Sequence, residues 1–126
     1  MIDFERIYKD IISLDPNIRL VTICCFNGII MYSQQREGVK NVLSPEESNN
    51  SLRLAVDSWK VRTKLVNKIG KGKYVLAQYE KIKRITMPWG DKYLLYVTTE
   101  VEADHSRIVN GLTKISMEWW FLWWAS

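Results

Sequence analysis

The residues of this chain that could do chemistry are few: one histidine, His105; two adjacent cysteines, Cys24 and Cys25; three clustered carboxylates, Glu100, Glu102 and Asp104; and a dense run of lysines and arginines. A zinc site needs three or four ligands at set spacing, and a lone histidine with no spaced cysteine pair cannot supply them. No metal and no cofactor is expected. Cys24 and Cys25 are neighbours in an apolar run, so on a strand they face opposite ways and cannot readily bond each other. Buried free thiols are the expected state. The carboxylates have the chemistry of acid and base catalysis, but their place after an apolar strand is that of a solvated loop. His105 falls near the start of a helix, where a surface or capping position is the ordinary one. Lys71-Gly72-Lys73 holds one glycine and follows a helical stretch, whereas a phosphate loop precedes its helix. These residues give no sign of a reaction, and the chain reads as non-enzymatic.

The charge is more informative. The 126 residues carry a formal net charge of +4, but residues 60–84 alone hold nine basic groups and one acidic, while the flanking segments are each mildly acidic. The block is Lys60, Arg62, Lys64, Lys68, Lys71, Lys73, Lys81, Lys83 and Arg84. Such a block attracts nucleic acid, another polyanion or an acidic protein face. It also suits a solvated helix face leading into an edge strand that lysines guard against aggregation. Only Tyr74 and Tyr79 interleave with it, which gives little support to base stacking.

These residues are positioned by elements that can be read in order. Ile2, Phe4, Ile7, Ile11 and Leu14 lie along one side of a first helix, which ends before Pro16 because that ring disfavours a helical residue ahead of it. Arg19 to Phe26 and Ile29 to Ser33 are apolar and β-branched strands joined through Asn27-Gly28, the signal for a two-residue type I′ hairpin. Gln34 to Leu43 is a polar loop.

A long helix follows from Ser44 to Gly70. Ser44 can cap it, Pro45 suits its first position, Glu47 completes a capping box, and Gly70 offers a left-handed stop. Leu52, Ala55, Val56, Trp59, Val66 and Ile69 form its apolar stripe. At roughly 25 residues it would run about 37 Å, enough to cross a whole sheet.

Tyr74 to Tyr79 and Lys81 to Met87 read as a third and a fourth strand. Pro88-Trp89-Gly90-Asp91 reads as a turn. Tyr93 to Thr99, apolar on both faces, reads as a central strand. Asp104 can cap a last helix with core face Ile108, Leu112 and Ile115, which Gly111 weakens by up to about 1 kcal/mol.

From Met117 the helical pattern fails, and residues 117–126 are set apart as a tryptophan-rich tail to a domain of residues 1–116. Trp119, Trp120, Trp123 and Trp124 cannot stay in water without forming a large exposed patch. Contact with this domain or a sister subunit is expected of them, and the alternatives are docking at a membrane surface or a disordered tail. Nine or so residues are too few to span a bilayer, which takes about 20. The chain opens on an amphipathic, charged helix rather than a signal peptide, and a cytoplasmic location is expected.

The fold class is therefore α+β: helix, hairpin, long helix, three strands, helix, with helices on the faces of a five-stranded antiparallel sheet. That order, with Asn27-Gly28 at the first hairpin and Gly90-Asp91 before an apolar last strand, resembles the roadblock/dynein light chain fold, a relative of longin and profilin-like domains. The stretches REGV (residues 36–39), LSPEE (43–47), GKGKY (70–74) and KIKRIT (81–86) resemble a family of small archaeal roadblock-like proteins more closely. The resemblance covers residues 2–115 and implies no catalytic residue.

What it implies is a homodimer or heterodimer in which the long helix lies beside its mate and the third strands meet edge to edge. Leu52, Val56 and Trp59 on the helix, with Tyr74, Leu76 and Gln78 on the strand, would then line the interface. The physics agrees, because a strand at the sheet edge leaves backbone groups unpaired and a two-fold axis lets the same residues meet. Like charges opposite one another cost energy, so the nearby lysines must splay outward or meet Glu80 across the axis. The resemblance also implies a regulatory or scaffolding role, with a small GTPase among its partners.

Two other functions compete with this one. One is polyanion binding through Lys60, Lys64, Lys68, Lys71, Lys73, Lys81, Lys83 and Arg84. The other is a small-ligand sensor with a pocket near Trp59, unless that indole simply fills the core.

Overall fold

The computed structural model describes the backbone of residues 2–125 and the side chains of residues 2–119. Five antiparallel strands lie in the order β2-β1-β5-β4-β3: β1 Ile18–Cys25, β2 Ile30–Gln35, β3 Val75–Gln78, β4 Ile82–Trp89 and β5 Tyr93–Glu100. Helix α2 (Pro45–Thr63) covers one face; α1 (Phe4–Ile12) and α4 (His105–Ala125) cover the other. Strand β5 is central, as its apolar character on both faces requires.

Each face has its own core. Beneath α2, Leu52, Ala55, Val56 and Trp59 meet Cys24, Leu94 and Tyr96. On the other side Ile7 and Ile11 of α1, and Ile108, Leu112 and Ile115 of α4, meet Val21, Ile23, Ile85, Met87, Leu95 and Val97. Cys24 is buried, Cys25 is half-buried, and both are free thiols.

The start of α2 forms as its residues dictate. Glu47 N–H donates to Ser44 Oγ at 3.1 Å, and the Glu47 carboxylate accepts from Ser44 N–H at 2.9 Å. Those bonds hold the Glu47 carboxyl below its ordinary value. Asp104 likewise caps α4, accepting from Arg107 N–H at 3.2 Å.

Four expectations need correction. The long helix is broken: α2 ends at Thr63 and a four-residue α3, Val66–Ile69, follows. Lys64 and Leu65 N–H groups donate three residues back, and the Thr63 hydroxyl donates to the Lys60 carbonyl, so the last turn tightens and stops. Val66 is then only half-buried and Ile69 is 80% exposed, outside the stripe whose spacing they continue.

The first hairpin is not type I′, which needs a positive φ at both central residues. Here only Gly28 has one, at 88°. The pairing shifts between Ile23 and Cys24, and the loop closes with Ile29 N–H donating to Asn27 Oδ1 at 3.0 Å.

Pro88 and Trp89 belong to β4 rather than to a turn. Strand β3 pairs with β4 only from Lys83 to Thr86, so Pro88, which sits opposite Leu94 of β5, lies beyond the β3–β4 ladder and costs that ladder no donor.

Finally, α4 does not end near Ser116 but runs on to Ala125, and Trp119, 9% exposed, packs in the α1/α4 core. Among the described residues no helix is long and apolar enough to cross a membrane.

Candidate interaction surface

With Leu52, Val56 and Trp59 turned onto the sheet, the opposite side of α2 faces outward. Leu54 is 66% exposed and Val61 59%, seven residues and therefore two turns apart on one stripe. Leu65 and Ile69 continue the exposed apolar surface beyond the helix end. On the same side of the molecule lies β3, whose second edge pairs with no strand among the described residues. Exposed Tyr74 precedes that strand and exposed Gln78 ends it.

This corrects the expected interface. Leu52, Val56 and Trp59 are 6%, 3% and 1% exposed within the chain's own core and cannot meet a mate. An apolar stripe on a helix over a sheet is used up by the sheet, and the outward residues were legible only as breaks in that stripe. Leu76 is half-buried against the α1/α4 core, while Tyr74 and Gln78 remain at the free edge.

The basic block divides in the same way. Lys60, Lys64, Lys68, Lys71, Lys73 and Lys81 are exposed. Lys83 is 7% exposed and committed: its ammonium donates to the Ala103 carbonyl at 2.8 Å and lies 3.0 Å from His105 Nδ1. An ammonium has only protons to give, so Nδ1 is the acceptor. Lys83 therefore pins the turn into α4 and is withdrawn from any polyanion, and His105 is a half-buried partner rather than a free surface group.

Arg84 points to the other face of β4. Its guanidinium carbon sits 5.3 Å from the Tyr79 ring centroid and 5.2 Å from that of Tyr96. It lines an open cleft of about 570 Å³ between α2 and the β3–β4 turn, with Leu43, Leu54, Tyr79, Lys81 and Ile82.

The pocket expected near Trp59 is a cleft of about 320 Å³ at the far end of α2, lined by Phe26, Trp59, Arg62, Lys71, Gly72 and Asp91 among others. Trp59 itself fills the core and donates from Nε1 to Thr86 Oγ1 at 2.8 Å. The carboxylates after β5 go separate ways: Glu100 pairs with Arg19, Asp104 caps α4, and Glu102 is exposed. Among the described residues no group of three or more histidine, cysteine, aspartate or glutamate side chains could hold a metal. Of the expected tail contacts, Trp119 lies in the core; the side chains of Trp120, Trp123 and Trp124 fall outside the described residues.

One important residue escaped the sequence reading. Arg36 reaches back across the start of β1, its Nε donating to the Ile18 carbonyl at 2.7 Å and its Nη2 to those of Ile12 and Asp15 at 2.8 Å each. Nothing in its neighbourhood in the sequence announced a latch on the end of α1.

No family model and no curated protein sequence matches this chain. Solved structures do. MglB of Myxococcus xanthus superposes with a TM-score of 0.75 at 14% identity, over 99% of this chain and 100% of that one. A Roadblock/LC7 domain from Streptomyces avermitilis gives 0.68 at 12% identity, over 88% and 89%. Schizosaccharomyces pombe profilin gives 0.57 at 8% identity, over 82% and 86%. Identities this low speak of architecture alone, and the architecture of this protein is that of a roadblock/LC7 domain, with profilin as a more distant relation in fold.

Proposed function

We propose that the protein is a self-associating protein-interaction module of regulatory type, assembled through the outer stripe of α2 and the free edge of β3. The observation that carries this reading is the continuity of the two features. Leu54 and Val61 expose apolar surface at helix-pairing spacing, and Leu54 shares a cleft with Tyr79 just past the end of β3, whose outer edge pairs with no strand among the described residues. The charge along the helix selects the arrangement. Glu46 and Glu47 stand at its start, and exposed Lys60, Lys64 and Lys68 at and beyond its end. Two copies lying antiparallel bring each acidic end to a basic one, whereas parallel copies oppose like charges. A solved MglB structure has a tetrameric arrangement, which supports self-association on this fold.

The partner class we assign is a small GTPase, on the strength of the roadblock resemblance. The paired α2 helices and the joined sheet would form the platform it meets.

The test is a chain carrying Leu54→Asp and Val61→Asp. Both positions are exposed, so folding should change by no more than about 0.5 kcal/mol per site. Light scattering should find the double variant monomeric where the unaltered chain is not. A double variant that self-associates as before would refute the surface.

A further inference from the structure

From the geometry of the cleft beside α2 we infer that Arg84, clamped between Tyr79 and Tyr96, is a receptor for a carboxylate side chain on a protein partner that also brings a bulky apolar residue. The inference builds on the interaction-module reading and names the chemistry of a second contact on that platform. Arg84 is half-buried, and a guanidinium partly withdrawn from water normally finds a counter-charge. Arg84 has none: among the described residues no carboxylate forms an ion pair with it, and its Nε–H is buried without a hydrogen-bond partner. Its one protein bond is a long one, 3.4 Å from Nη1 to the Tyr79 hydroxyl.

The two rings hold the fork in place. Tyr96 is itself fixed by its hydroxyl, 2.9 Å from Ser51 Oγ on α2. A planar fork held in advance loses little freedom on binding, and a carboxylate is the acceptor its geometry matches.

The surroundings specify the rest of the ligand. Val42, Leu43 and Ile82, none of them on the outer stripe of α2, supply apolar walls, and exposed Lys81 adds a second positive charge at the rim. Two carboxylates share the cleft. Glu47 is occupied in capping α2, and exposed Glu80 makes no ion pair among the described residues. At about 570 Å³ the space takes more than a lone anion, which is why an acidic side chain with an apolar neighbour fits it.

The experiment follows the Arg84 Nε–Hε resonance by NMR during titration with a short blocked peptide carrying Glu beside Phe, with the Gln-Phe peptide and with acetate as controls. The Glu peptide should shift that resonance and bind about tenfold tighter than the Gln peptide, the margin expected of a charge-assisted hydrogen bond. Arg84→Gln should abolish the difference, and Arg84→Lys should keep only part of it. Equal binding of the two peptides to the unaltered protein would overturn the inference, whatever the variants do. So would acetate matching the Glu peptide, which would make the cleft a small-anion site. A resonance that moves with protein concentration alone would assign the cleft to the second copy and also overturn it. Failure here leaves the solution mass untouched, so it is distinguishable from failure of the self-association reading.

Discussion

Trp59 on α2 donates its indole N–H to the hydroxyl of Thr86 on β4 at 2.8 Å, and both residues are buried. This bond fixes the rotation of the helix on the sheet, and with it which residues face outward. Thr86→Val keeps the shape and strands the indole donor, so it should cost about 1 to 3 kcal/mol in urea unfolding. A variant as stable as the parent would show that the bond contributes nothing.

Gly72 is needed where it stands. A Cβ there would lie 2.7 Å from Cζ3 of Trp59, a ring that Thr86 holds in place. Gly72→Ala should therefore destabilise by about 1 to 3 kcal/mol, the usual range for overpacking. At an unhindered site the same change would stabilise through the unfolded chain. The sign of the shift in denaturation midpoint decides between them.

Cys24 provides a pH signature. Burial, with a smaller effect of charge on Cys25, pushes its pKa from 9.0 up to about 11. The folded thiol keeps its proton where the unfolded one loses it. The contribution to stability is therefore complete below about pH 9 and is lost progressively as pH rises towards 11. Cys24→Ala should be less stable at neutral pH but show a shallower decline between those values. Equal slopes would contradict the assignment. In the native protein at pH 8, Cys24 should also resist iodoacetamide.

The end of the chain is structural as far as Trp119. Because that side chain packs in the α1/α4 core, Trp119→Ala should cost about 3 kcal/mol or more in thermal or urea unfolding. Removing residues 117–126 should do at least as much harm. A Trp119→Ala protein of unchanged stability would place the indole outside the core.

Much of this fold was legible because local chemistry and packing agree. Ser44, Pro45 and Glu47 mark the start of α2, Asp104 marks α4, and the apolar run of β5 fixes the middle of the sheet. The failures share a cause. Val66 and Ile69 continue a period that the backbone abandons at Lys64, since periodicity records spacing and not whether the helix persists. Trp119 was set apart because the segment after it is apolar all round, although its own position extends the face of Ile108, Leu112 and Ile115. Leu52, Val56 and Trp59 were expected at an interface but are buried, because one helix has two sides and its larger apolar residues are claimed by the sheet. Lys83 and Arg84, adjacent in a basic run, part company because strand neighbours face opposite ways.

Sedimentation equilibrium of the unaltered chain across the micromolar range tests the central claim most directly. The account predicts the mass of two chains or an even multiple, falling to that of one on dilution. A single-chain mass at every concentration would contradict it.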